Sequence, residues 1–260
     1  MVPAPGPFPA PGPFPAPGPF PAPGPFPAPG PFPAPGPTAA PRRLWLVRHG
    51  ESTWNALGLV QGQVAAPGLT RRGLRQAQRV AARLVREPVG ALWSSDLRRA
   101  AHTAAPIGRA LGLEVRYDAR LRERSFGAAE GGPSALLGPD RLGIDAERVV
   151  DADAAPGGGE SVRQLYERAS SFVRRLVSCH GDGDLVVVCH GGVLCVVLAW
   201  LDGVGPEGMA WPPVANGLVV CRSLDHAARP ALPADRRGAV RSTGAARDQR
   251  CRYEDGEDPA

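Results

Sequence analysis

The sequence contains no lysine. Its 30 basic residues are all arginine, set against 25 acidic ones, for a formal net charge of +5. The arginines are spread over helix faces without a basic cluster interleaved with aromatics, which argues against a nucleic-acid partner. No apolar run approaches the ~20 residues that cross a bilayer, so no membrane role is expected. The N-terminus lacks a basic stretch followed by an apolar one, and no export signal is read there. The five cysteines, Cys179, Cys189, Cys195, Cys221 and Cys251, match neither a disulfide nor a metal-ligand spacing. Cys189, Cys195 and Cys221 fall in apolar stretches and read as small core residues. Neither HxxxH nor HExxH occurs, so no metal and no cofactor is expected. A reducing, cytoplasmic setting fits.

Proline and glycine are abundant instead, at 31 and 33 residues, and they mark the organisation of the chain. From Pro3 the hexapeptide PAPGPF repeats five times and closes on PAPGPT. Proline at every second position fixes φ and removes donors, so residues 1–40 are expected as a low-complexity polyproline II arm. Phe8, Phe14, Phe20, Phe26 and Phe32 would lie along one edge, roughly 19 Å apart at a 3.1 Å rise. A protein partner reading those rings is one possibility, and a stiff spacer with no fixed role is the other. Prolines never fall three apart, so the PxxP ligand spacing is absent. Residues 225–260 mix Arg, Ala, Gly and Pro without an apolar period and are expected to be disordered. One folded domain remains, over 41–224.

Within it, short apolar runs alternate with amphipathic stretches. RLWLV, ALWSS, LEVRYD, DLVVVC and GLVVCRS read as strands. Residues 70–86 predict a helix with Leu74, Ala77, Ala81, Leu84 and Val85 inward. A second helix from Leu97 turns Ala100, Ala104, Ile107 and Leu111 inward. Ser161 and Gln164 form a capping box ahead of the clearest helix, and GGVLCVVLAWL reads as a buried one. Apolar strands alternating with helices imply an α/β fold: a three-layer sandwich whose mostly parallel central sheet carries helices on both faces.

Two strands end alike, in Arg48-His49-Gly50 and in His190-Gly191-Gly192. Ligands of open α/β sheets bind beyond the carboxyl ends of the strands. If these strands are neighbours, the two imidazoles face each other there, and each following glycine permits a sharp turn close to a ligand. A third strand ends in Ser94-Ser95-Asp96 and enters a helix opening with Arg98 and Arg99. Arginine in a first turn opposes the helix dipole unless an anion is near. One of the pair can point into the crevice while the other faces solvent. With Arg48 this gives two planar forks suited to phosphate oxygens.

LVRHGESTWN, SSDLRRAAHTA, LRERSFGAAEG, GGGES and VVVCHGGV together, in this order over about residues 43–223, resemble the histidine phosphatase superfamily of phosphoglycerate mutase-like proteins. The resemblance implies that His49 is the nucleophile and passes through a phosphohistidine. It implies that Arg48 and Arg99 clamp phosphate and that His190, protonated, completes the pocket. Glu123 corresponds to the general acid and base. Asn55 corresponds to a phosphate or substrate contact, and Ser52, Gln61, Gly62 and Gly191 to the substrate side. The expected partner is a small phosphorylated metabolite. The stretch after Glu123 is short and lacks the basic contacts of the family's mutases, which favours a phosphomonoester hydrolase over a mutase. A binding protein using the proline-rich arm is the reading from another class. His102 and His180 are expected at the surface, and Cys189 as a buried filler without redox function.

Overall fold

A computed structural model of the chain describes residues 43–179 and 183–224. The expectations for residues 1–40, for His180 and for 225–260 lie outside them. The chain runs through β1 (Arg43–Arg48), a one-turn α1 (Thr53–Ala56), α2 (Arg71–Leu84), β2 (Val89–Ser94), α3 (Arg98–Leu111) and β3 (Val115–Tyr117). A connection of 3-10 turns follows, carrying α4 (Pro139–Leu142) and a small hairpin, β4 (Ile144–Asp145) with β5 (Arg148–Val149). It closes with α5 (Val162–Cys179), β6 (Asp184–Cys189), α6 (Gly191–Leu201) and β7 (Val219–Ser223).

Alternation along the strands explains the layers. Leu44, Leu46, Trp93, Leu185 and Val187 point to one face and pack with α5 and α6. Trp45, Val47, Leu92, Val186 and Val188 point to the other and pack with α2 and α3. The sheet order is β3-β2-β6-β1-β7, parallel except for β7, which runs antiparallel to β1. The expected sandwich is therefore present. Phe172 of α5 is fully buried, edge-on to Trp93 at 5.4 Å between centroids. Its truncation to alanine is expected to cost about 3–5 kcal/mol.

The capping box forms as expected: Gln164 N–H donates to Ser161 Oγ at 3.2 Å, and Ser161 N–H to Gln164 Oε1 at 2.9 Å. The inward face of α2 needs a correction. Leu74 and Val85 are 47% and 52% exposed, while Gly73 and Val80 join Ala77, Ala81 and Leu84 inside. Both stripes share the middle of the helix, and Gly73 decides between them because only it lets α2 approach the turn after β1. A Cβ on Gly73 would sit 2.1 Å from the Glu51 carbonyl oxygen. No described helix is long and apolar enough to cross a membrane.

Candidate active site

β1 and β6 are parallel neighbours in register at Arg48 and Cys189, so the residues that follow them meet. His49 and His190 stand with ring centroids 5.1 Å apart, inclined at 62°. His49 Nδ1 lies 2.7 Å from the Gly50 carbonyl oxygen. A carbonyl only accepts, so Nδ1 carries the proton and the Nε2 lone pair is left free. Asn216 Nδ2 and Gly217 N–H both donate to the His49 carbonyl, at 3.2 and 3.1 Å. Gly50 N–H donates to Thr103 Oγ1 at 3.0 Å, and that hydroxyl donates to the Arg99 carbonyl at 2.8 Å. The turn after His49 is thus tied to the helix that carries Arg99. Gly50 was expected to make room for a ligand. Its observed reason is packing, since a Cβ there would meet the Gly73 carbonyl oxygen at 2.4 Å.

Of the arginine pair opening α3, Arg99 is 1% exposed and Arg98 is only partly buried, as the dipole argument required. Arg99 Nη2 donates to the Gly62 carbonyl at 2.7 Å and Nη1 to the Val64 carbonyl at 3.0 Å. Arg48 Nη1 donates to the Val214 carbonyl. These bonds engage both terminal nitrogens of Arg99 and one of Arg48; among the described residues, Arg48 Nε, Arg99 Nε and His190 Nδ1 are buried with no hydrogen-bond partner. An unmet buried donor costs about 1–3 kcal/mol. An anion bound beside Arg48, Arg99 and His190 would meet these unpartnered groups.

The protonated His190 expected from the sequence needs correction. Burial, then Arg99, His49 and Arg48, hold its pKa well below 6.5. It remains a donor when neutral. Ser95 Oγ accepts from Leu97 N–H and lies 2.9 Å from His190 Nε2; in the tautomer where the hydroxyl donates to Nε2, the imidazole proton sits on Nδ1. His49 is held neutral by burial and by the same arginines. Arg99 itself is lowered by burial to about 10 and stays charged at neutral pH. Burial pushes the Cys189 thiol upward, which leaves it unreactive as expected.

Glu123 enters from the far side. Its Oε2 accepts from Gly192 N–H at 3.2 Å at the start of α6, and its Oε1 from Arg124 N–H at 2.9 Å. A Cβ on Gly191 would lie 3.7 Å from Arg48 Nε and 3.9 Å from Glu123 Oε2, so the two groups flank one point. The segment around Glu123 is fixed by cations acting on carbonyls. Arg124 donates to the carbonyls of Glu160, Leu142 and Ala154, and Arg168 to those of Arg120, Arg122 and Glu123. Glu160, from the GGGES stretch, pairs with Arg168 at 2.6 Å.

The remaining expected contacts separate. Gly191 borders the cavity beside Arg48 and Glu123. Gly62 supplies its carbonyl to Arg99 and adopts φ +48°; a Cβ would collide with the Glu130 carboxylate. Ser52 is fully buried as the N-cap of α1, exchanging hydrogen bonds with Asn55, and its Oγ lies 2.6 Å from Gln61 Oε1. Asn55 Oδ1 also accepts from Asn216 at 3.1 Å. These bonds engage the Ser52 hydroxyl and the side-chain oxygens of Asn55 and Gln61. His102 is exposed as expected. Sequence reasoning missed Ser95, Thr103, Glu130, Asn216 and Trp211; the second serine of SSD at a strand end was the one available signal.

Beside Arg48 opens a cavity of about 360 Å³. It is lined by Arg48, Glu123, Gly191 and Gly192 together with Phe126, Ile144, Glu147, Trp211, Pro212, Pro213 and Val214. Among the described residues, no group of three or more His, Cys, Asp or Glu could hold a metal ion.

The profile of the histidine phosphatase superfamily (branch 1) matches residues 44–229. The chain belongs to the histidine phosphatase superfamily. It is 40% identical over 154 residues to phosphoglycerate mutase-like protein 4 of Arabidopsis thaliana, covering 57% of this chain and 66% of that protein. It is also 40% identical over 155 residues to a metal-independent phosphoserine phosphatase of the same plant, covering 57% and 64%. The chain thus spans just under two thirds of the length of these two relatives. A mycobacterial glucosyl-3-phosphoglycerate phosphatase superposes with a TM-score of 0.61 at 33% identity, over 69% of this chain and 89% of that one. Phosphatases therefore stand among its superfamily relatives, beside proteins named for mutases.

Proposed function

We propose that the protein is a phosphomonoester hydrolase working through a phosphohistidine on His49. The observation that carries this is the trio of buried, unpartnered donors around an imidazole fixed with Nε2 free: Arg48 Nε, Arg99 Nε and His190 Nδ1. Phosphoryl transfer is mostly in-line positioning and neutralisation of the equatorial oxygens. The Nε2 lone pair of His49 attacks phosphorus as the bond to the leaving oxygen breaks, and Glu123 gives that oxygen a proton. Glu123, now a carboxylate, takes a proton from water. The water oxygen bonds to phosphorus while the P–N bond breaks, phosphate leaves, and both residues return to their starting states. Ser52, Asn55 and Gln61 act in this scheme by bracing the turn that follows His49, and Gly62 by orienting Arg99. The substrate is a small phosphorylated metabolite, in keeping with the names of the phosphatase relatives.

Acid- and base-quenched samples taken during turnover test the reading. An acid-labile, base-stable phosphoprotein is expected in the wild type and none in His49→Ala, with phosphate release reduced roughly 10⁴-fold or more. Undiminished turnover in His49→Ala sinks the proposal. Incubation with 3-phosphoglycerate separates the mutase alternative: phosphate is expected, and 2-phosphoglycerate is the outcome that favours transfer.

A further inference from the structure

Resting on the hydrolase reading, we infer that the leaving-group side of the site favours monoesters of an apolar, ring-bearing alcohol over alcohols that carry a second negative charge. Two independent features carry this.

The first is the lining. Phe126, Ile144, Trp211 and Val214 present apolar surface to the cavity, and among the described residues Arg48 is the sole cation bordering it. Its Nη1 is engaged by the Val214 carbonyl, and its buried Nε is directed to the phosphoryl group in the hydrolase reading. Among the described residues, no second cation borders the cavity to pair with a carboxylate or second phosphate on the alcohol. The Trp211 ring reaches the start of α6. A Cβ on Gly192 would be 3.1 Å from Trp211 Cζ2 and Cη2 and 2.5 Å from Glu123 Oε1, so indole and acid press on the same point. A ring on the departing oxygen can stack there.

The second is Glu147, an acid on the cavity wall held by an unusual turn. The β4–β5 hairpin turns on Ala146 and Glu147, at φ +44° and +61°. Asn, Asp or Gly ordinarily fill such positions, and non-glycine outliers mark functional placement. The turn is anchored as well. Glu147 O accepts from Trp211 N–H at 2.7 Å, Val149 N–H donates to Met209 O at 3.0 Å, and Gly208 N–H to Val149 O at 2.9 Å. Glu147 therefore borders the cavity with its backbone tied to the stacking residue, and its negative charge there disfavours an anionic alcohol.

The test compares kcat/KM for three primary alkyl phosphates of similar leaving-group acidity: 2-phenylethyl phosphate, glycerol 3-phosphate and 3-phosphoglycerate. The expected order is that order, with at least about tenfold between first and last. Trp211→Ala should lower the ratio of phenylethyl to glycerol ester about tenfold, and Trp211→Phe should restore most of it. Glu147→Lys, at an exposed position, should raise the ratio of 3-phosphoglycerate to glycerol ester about fivefold, less so at high salt. A wild type that prefers 3-phosphoglycerate, or ratios unmoved by both variants, overturns the inference while leaving the hydrolase reading intact. Failure of all three esters, with no phosphoprotein formed, is failure of the hydrolase reading itself.

Discussion

The two ends of the site are built by opposite means. The proposed phosphate end is built at the ends of β1 and β6 and the start of α3, with His49, Arg99 and His190 buried, Arg48 partly so, and Arg99 held by two backbone carbonyls. The proposed leaving-group end lies between connecting segments and is bordered by Phe126, Ile144, Glu147 and residues 211–214. Where charge must be neutralised in a fixed geometry, reorganisation would be costly, and a rigid sheet edge prevents it. Where alcohols of different shape are distinguished, the scaffold can vary without disturbing the chemistry.

Predictions follow that contrast, the largest first. Arg99→Lys keeps a charge but cannot span Gly62 and Val64 while presenting a third donor. Phosphate release should fall roughly 10²- to 10³-fold on every ester alike, in steady-state assays. Selective loss on one ester would break the division of labour. Next comes pH. His49 and His190 both titrate well below 6.5 in the folded chain, so the unfolded chain binds more protons between the two sets of values. The stability they confer is full above about pH 7 and declines as pH falls through 6.5 toward the folded values. Urea unfolding should give about 2–3 kcal/mol less at pH 5.5 than at pH 7.5. His190→Gln should remove about half of that dependence, and an unchanged slope would mean that the phosphate end is wetter than described. The smallest effect belongs to the other end. Gly192→Ala places a Cβ 2.5 Å from Glu123 Oε1 and should displace the acid. Alkyl phosphates should lose about ten- to a hundredfold in kcat. The loss on 4-nitrophenyl phosphate should be much less, because its leaving group needs little help from an acid. Equal losses on both esters would assign Glu123 to phosphate binding instead.

The phosphate end was largely legible in the sequence because each of its parts terminates a local signal. Apolar runs become strands, their ends converge, and the His-Gly turns and the double arginine after SSD sit on those ends. The capping box was legible for the same reason, since both halves lie within one helical turn. The inward face of α2 was not. Leu74 looked better than Gly73 by hydrophobicity, yet a close approach to Glu51 and Gly50 needs the residue with no side chain. The bonds that Ser52 and the Asn55 side-chain carbonyl make around the turn were not legible either, because motif position says nothing about local partners. Asn216 and Trp211 carried no pattern at all, lying in an irregular stretch before β7.

The sequence by itself determined the layered fold, the two paired histidines and the arginines beside them, because these depend on periodicity and on residue type at strand ends. Only the tertiary structure decided that burial and the arginines lower the pKa of both histidines, that Gly50 serves packing, and that Trp211 and Glu147 border the same cavity as Glu123. Each of those depends on burial or on a distance between segments far apart in the chain, and desolvation and steric contact have no counterpart in local order.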